Sequence, residues 1–274
     1  MQFWQHIYEH FNPVAFELFG FKVHWYGMMY VLALLSALWF AKYIIKKDKL
    51  DISEEILDKF FIYVEIGVIL GARIGYFIFY SEHTSYYLMH PWQMFNPFGA
   101  NGEFIGIRGM SFHGAVIGFG IGAWFFSRKY PGYTLKILDV AAVAIPLGYI
   151  FGRIGNFLNQ ELFGRATDVP WGIYVDGVLR HPSQLYEAFL EGFVIFVIMM
   201  VTRKYKKFDG QLILNYLFLY ALMRSVSEVF RQPDPQLGFI CCGVLTMGQL
   251  LSFGMVVFAI IGYAVLGKKK KANL

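Results

Sequence analysis

The densest run of chemistry-bearing side chains is Gly152-Arg153-Ile154-Gly155-Asn156-Phe157-Leu158-Asn159-Gln160-Glu161-Leu162-Phe163-Gly164-Arg165. It closes a long apolar stretch and runs into a loop. Should the helix continue through Gln160, Arg153, Asn156 and Gln160 share one face. A guanidinium backed by amides and a carboxylate, Glu161, can grip an oxyanion through two oxygens. Glycines at 152, 155 and 164 permit close backbone approach; a polar helix cap is the plainer alternative. Arg224, Glu228 and Arg231 stand at i, i+4 and i+7, on one helical face. Glu228 between two arginines can neutralise and orient them. Each guanidinium carries five N–H groups, so donors remain for an anion, although an internal salt-bridge ladder uses the same spacing. His113 follows Gly109-Met110-Ser111-Phe112 and can act as a general base near neutral pH, or simply sit satisfied at an interface. Ser111 beside it has no G-x-S-x-G elbow. Tyr26, in His24-Trp25-Tyr26-Gly27, belongs to an interfacial aromatic belt or donates to a headgroup. No His, Cys or carboxylate pair has metal-ligand spacing, and neither a P-loop nor a dinucleotide fingerprint occurs. No metal and no cofactor are expected.

Lipid must surround the elements that position these groups. Of 274 residues, 57% are hydrophobic, 19% aromatic and only 16% charged; mean hydropathy is +0.48. An average soluble domain carries about 25% charged residues. A cytosolic enzyme, a disordered chain and a nucleic-acid module are therefore excluded, despite a net charge of +5. Seven apolar runs predict an all-α polytopic membrane protein, with spans near 25–45, 60–80, 112–127, 135–157, 185–201, 212–230 and 245–266. No linker or repeat divides residues 1–274, so one integral membrane domain is expected. The first run has no cleavage signature ahead of it and reads as a retained helix. Fourteen Lys and Arg, from Lys46 to Lys271, fall on one side of this layout. Five fall on the other: Lys22, Arg108, Arg165, Arg180 and Arg231. The basic side is expected to be cytoplasmic, with the N-terminus outside, the C-terminus inside and structured loops on the outer face. Lys268–Lys271 mark topology and can touch acidic headgroups. Cys241 and Cys242 are adjacent and cannot staple distant segments; small apolar residues entering the last span is their simplest reading.

Glycines recur every fourth residue at 67, 71 and 75, at 114, 118 and 122, and at 148 and 152. Such ladders let helices approach closely in lipid and mark spans two to four as a tight centre. Charges within spans need partners or a wet cavity. Glu65, Arg73, Arg153, Arg224 and Glu228 are the five singled out, with Glu65 and Arg73 expected to pair with neighbouring spans.

Gly152-Arg153-x-Gly155-Asn156-Phe157-x-Asn159-x-Glu161-x-x-Gly164 resembles the signature of the bacterial prolipoprotein diacylglyceryl transferases. Four further motifs resemble that family in its order: His24-Trp25-Tyr26-Gly27, Gly109-Met110-Ser111-Phe112-His113-Gly114, His181-Pro182-Ser183-Gln184-Leu185-Tyr186-Glu187, and Arg224-x-x-x-Glu228-x-x-Arg231-Gln232-Pro233-Asp234. The resemblance implies an enzyme of the bacterial inner membrane, its active site facing the outer leaflet. It moves the diacylglyceryl group of phosphatidylglycerol onto the lipobox cysteine of a prolipoprotein signal peptide, forming a thioether and releasing glycerol phosphate. This is the first step of lipoprotein maturation. The expected partners are that lipid, that peptide and the surrounding membrane, without nucleic acid. In this reading His113 is the base and Arg153 and Arg224 meet the leaving phosphate. Asn156, Glu161 and Gly164 hold the headgroup, Tyr26 and Tyr220 donate hydrogen bonds, and Glu228 with Arg231 holds Arg224. A small-anion transporter and a non-catalytic precursor receptor are the rival classes.

Overall fold

The computed structural model describes residues 2–18, 21–98, 102–103, 109–232 and 245–272. Cys241, Cys242, Arg108, Pro233 and Asp234 lie outside them. The chain divides into two compact units, Met1–Leu50 with Leu138–Leu274, and Asp51–Ile137.

The first unit opens with the short helix α1 (Gln2–Gln5) and an antiparallel hairpin, β1 (Val14–Leu18) with β2 (Phe21–His24). His24 is extended and leads straight into α2 (Trp25–Lys47), whose last turn carries Lys46 and Lys47, a favourable place for cations. In the second unit, α3 (Glu54–Phe79) starts at Ser53, whose side chain accepts from Ile56 N at 3.2 Å. A short α4 (Thr84–Met89) follows, then α5 (Phe112–Lys129), capped by Ser111 accepting from Gly114 N at 3.1 Å. Helix α6 (Thr134–Leu158) carries the chain back into the first unit with Pro146 inside it. The tight hairpin β3 (Ile173–Val175) and β4 (Val178–Arg180) turns through Asp176 and Gly177, both at positive φ. Next comes one long helical stretch: α7 (Ser183–Glu187), a wide π segment (Ala188–Val194) and α8 (Ile195–Thr202). Helices α9 (Gln211–Ser227) and α10 (Met247–Ala272) complete the first unit.

The expected runs 25–45, 112–127, 135–157 and 185–201 lie on helix, whereas 60–80 runs one residue past α3, 212–230 three residues past α9, and 245–266 starts two residues ahead of α10; two hairpins add strand to a mostly helical chain. Among the described residues, five helices are long and apolar enough to cross a membrane: those beginning at Trp25, Glu54, Thr134, Ser183 and Met247. Helices α5 and α9 are shorter. At 1.5 Å per residue, the 17 residues of α9 rise about 26 Å, and its C-terminal end carries Arg224 and Ser227. The helices leave large apolar residues bare: Phe189, Phe193, Val197 and Val201 recur every fourth residue, and all are exposed. Such rows suit lipid and not water.

In the second unit the glycine ladders of α3 and α5 face one another. A Cβ on Gly75 would come within 2.7 Å of Gly114 Cα, and one on Gly71 within 2.7 Å of Gly118 Cα. The ladder of α6 is only half used. Gly148 abuts Ala33 of α2, whereas nothing crowds Gly152. Arg73 donates to the carbonyls of Met94, in a short 3-10 turn (Pro91–Phe95), and of Gly109, and stacks on Phe77.

Candidate active site

At the C-terminal end of α6 the helix stops at Leu158, and Gln160 and Leu162 adopt positive φ. Gln160 therefore does not share the face of Arg153 and Asn156. It donates instead to the carbonyls of Tyr8 and Phe11, tying the N-terminal segment to this loop. The turn returns Glu161, so that Asn156 Nδ2 donates to Glu161 Oε1 at 2.9 Å while Arg153 Nη1 donates to Asn156 Oδ1 at 3.3 Å.

The motif after β4 pins this loop. Ser183 Oγ donates to Leu162 O at 3.1 Å, and Gln184 Nε2 to Glu161 O at 2.6 Å. His181 Nδ1 meets Tyr186 OH at 3.2 Å, and Trp171 Nε1 donates to that hydroxyl at 2.7 Å. Burial pushes the His181 imidazole below its usual pKa, opposed by Asp168, and burial raises the Tyr8 phenol. Gly164 is wedged where a Cβ would strike Phe230 O at 2.6 Å and His181 O at 2.7 Å. Its close approach is to this chain's own backbone, where it bridges to Arg231. Arg165 Nε donates to Arg231 O at 2.9 Å, closing the same contact from the other side.

Beneath this cap lies a ladder of alternating charge. Glu187 Oε2 pairs with Arg153, 2.9 Å from its Nε, and accepts from Arg224 Nη1 at 3.1 Å. Arg224 Nη2 reaches Glu228 Oε2 at 2.6 Å, and Arg231 Nη1 stands 3.7 Å from Glu228 Oε1. Glu191 lies 3.8 Å from Arg224 and accepts hydroxyls from Tyr149 and Ser227. Glu191, four residues after Glu187, lies within the wide π segment; such turns are frequent at functional sites. Glu187 is sealed at 0% side-chain exposure, whereas Arg153 and Arg224 keep 17% and 11%. Tyr149 OH accepts from Arg153 Nε at 2.8 Å, and Tyr220 packs edge-on against Tyr149 with ring centroids 5.8 Å apart. Tyr26 stands on α2 against Gly155 and within electrostatic reach of Glu161 and Arg153. Among the described residues, Nη2 of Arg153 and Nε of Arg224 take no protein partner, which leaves donors for an oxyanion.

A family model described as "Prolipoprotein diacylglyceryl transferase" matches residues 13–265. The chain belongs to that family. A Campylobacter lari protein named "Phosphatidylglycerol--prolipoprotein diacylglyceryl transferase" is 63% identical over 260 residues, 95% of each chain. Proteins of the same name from Campylobacter curvus and Campylobacter jejuni are 60% identical over 98% of each chain and 58% identical over 100% of each chain.

Measured against the positions expected from sequence, the first unit of this family member brings together Tyr26, Arg153, Asn156, Glu161, Tyr220, Arg224, Glu228 and Arg231. The loop bearing Gly164 covers them. Arg231 lies beyond the end of α9, yet it keeps its carboxylate. His113 belongs to the second unit. There it is exposed in the first turn of α5, its Nδ1 3.5 Å from Tyr80 OH. Sequence reasoning quoted Glu187 only as the end of a motif, without a role, and missed Glu191. Two carboxylates four residues apart inside the apolar run 185–201 were the available signal.

Proposed function

We propose that this protein transfers the diacylglyceryl group of phosphatidylglycerol to the thiol of a prolipoprotein lipobox cysteine. It is a transferase, and the reaction begins lipoprotein lipidation. One observation carries the reading furthest: Arg153 and Arg224, from different helices and different motifs, converge on the single oxygen Glu187 Oε2 with donors left over. Two guanidiniums fixed side by side suit a phosphodiester.

A cysteine thiol with pKa near 8.5 is mostly protonated at neutral pH, so a base must take its proton; His113 is assigned that role. The thiolate attacks the lipid carbon that bears the phosphate. The C–O bond breaks, its electron pair stays on the phosphate oxygen, and glycerol phosphate leaves. Negative charge grows on that phosphate, where Arg153 and Arg224 stabilise it as oxyanion donors do. Asn156, Glu161 and Gly164 shape the headgroup site, Tyr26 and Tyr220 donate to phosphate or glycerol hydroxyls, and Glu228 with Arg231 orients Arg224. No cofactor or metal enters these steps. The chain works as one integral domain of the bacterial inner membrane with seven spans, its C-terminus cytoplasmic and its site on the outer leaflet. The charge asymmetry supports that orientation.

Purified protein given phosphatidylglycerol and a lipobox peptide should yield the peptide's diacylglyceryl thioether by mass, with one glycerol phosphate per product. Anion flux without lipid consumption would identify a transporter, and peptide binding without product a receptor. A C-terminal reporter active only outside the cytoplasm should stay silent; a signal would reverse the orientation.

A further inference from the structure

The charges around the arginine pair balance. Arg153, Arg224 and Arg231 oppose Glu187, Glu191 and Glu228 within one chain of contacts. For gripping an anion alone, Glu187 is a hindrance. It is a sealed carboxylate between the two guanidiniums, and it opposes any phosphate that approaches them. The proposed reaction, however, makes its own anion more charged. The lipid phosphodiester carries one negative charge. Once its C–O bond breaks and the thioether forms, the departing phosphate monoester has a second pKa near 6 and carries about −1.5 to −2 at neutral pH. An unbalanced arginine pair would hold that product more tightly than the substrate.

We propose that Glu187 is a positioning residue that sets the charge of the arginine pair. By bridging Arg153 and Arg224 it fixes which of their donors face the phosphate, and it keeps the monoester product from being retained. This inference rests on the reading of Arg153 and Arg224 as phosphate ligands. Glu191, 3.8 Å from Arg224, is a second counter-charge.

The test is product inhibition. Parent and Glu187→Gln are assayed with phosphatidylglycerol and lipobox peptide while glycerol phosphate is added. Glutamine keeps size and polarity but removes one charge. The half-inhibitory concentration should fall about tenfold or more, and Glu187→Asp should restore weak inhibition. A merely structural role predicts less folded protein or a slower rate with inhibition unchanged, and that result overturns the proposal. Should Glu187→Gln fail to accumulate, Glu191→Gln removes the same charge from the same ladder. Its inhibition should tighten by a smaller factor, and no tightening there overturns the proposal equally. The underlying reading fails separately: glycerol phosphate inhibiting parent and Arg153→Lys alike would mean that the arginines do not hold the phosphate.

Discussion

The two ends of the α6–α8–α9 bundle both bury charge, and they bury it in opposite styles. At the basic end, Asp139 accepts from Gly210 N at 2.8 Å and Ile213 N at 3.0 Å, acting as a cap for α9 supplied by another helix, and pairs with Lys206 at 2.9 Å. Arg203 is buried and takes both oxygens of Asp48. Asp139 there is closed in by the start of its neighbour helix. About 20 Å along α6, Arg153 and Arg224 are held just as firmly but from one side. Their remaining edges keep donors and some exposure. Buried charge alone therefore does not mark a site. What marks it is a held guanidinium whose hydrogen-bonding capacity is not used up.

That contrast can be broken or sharpened by substitution. The largest effect should come from His113, outside both ends. Gln keeps hydrogen bonding but cannot take a proton, so His113→Gln should lower the transfer rate by about 10²–10⁴-fold, with partial recovery on a peptide of more acidic thiol. Near-parental activity at neutral pH would remove it as the base. Next, Arg153→Lys and Arg224→Lys should each lose about 10²–10³ in rate while the protein still accumulates, because lysine lacks the planar fork. The double variant should lose less than the product of the two. Normal turnover, or loss of folded protein instead, would make the arginine end another structural cluster. At the basic end the pattern should invert. Asp139→Ala strands two helix N–H groups and a lysine, costing about 1–3 kcal/mol of stability in thermal unfolding, while the rate per folded molecule is unchanged.

The smallest effect concerns pH. His181 has a depressed pKa in the folded state, so the unfolded chain binds more protons than the folded one below about pH 6.5. Stability from this group is complete above that pH and is lost as pH falls toward its folded pKa. Melting temperature should dip slightly over that window, and His181→Gln should flatten the dip. An identical dip in both proteins would assign it elsewhere.

Much of the arginine end was legible because helical spacing is local. Arg224 and Glu228 pair as i, i+4 residues must, and the facing ladders of α3 and α5 were visible as glycines every fourth residue. Gln160 was misplaced because nothing local announces that the helix ends two residues earlier and turns through left-handed backbone. Glu187, Glu191 and Asp139 were passed over for a related reason. Each sits in an apolar run, and its partners come from other parts of the chain. Pairings between helices depend on how the helices rotate against each other, and that rotation is written in packing, not spacing. Gly152 shows the converse, continuing a ladder past the point where any neighbour needs it.

The π segment from Ala188 to Val194 also sets the phase of an entire helix. Its wide turn accommodates a residue that a regular helix would have no room for. Ahead of it Glu187 faces the arginines; behind it Ile195 and Met199 are fully buried, and within it Gly192 fits beside Ile150 and Pro146. Removing a single residue inside it would let the stretch relax to regular helix with Glu187 and the buried row of α8 still on their faces, because the widened turn already absorbs that residue. Removing one residue from the regular helix of α8 would instead swing the remainder about 100° and turn that buried row toward lipid. A one-residue deletion should therefore be tolerated within 188–194 and not within 195–202, as the yield of folded protein would report.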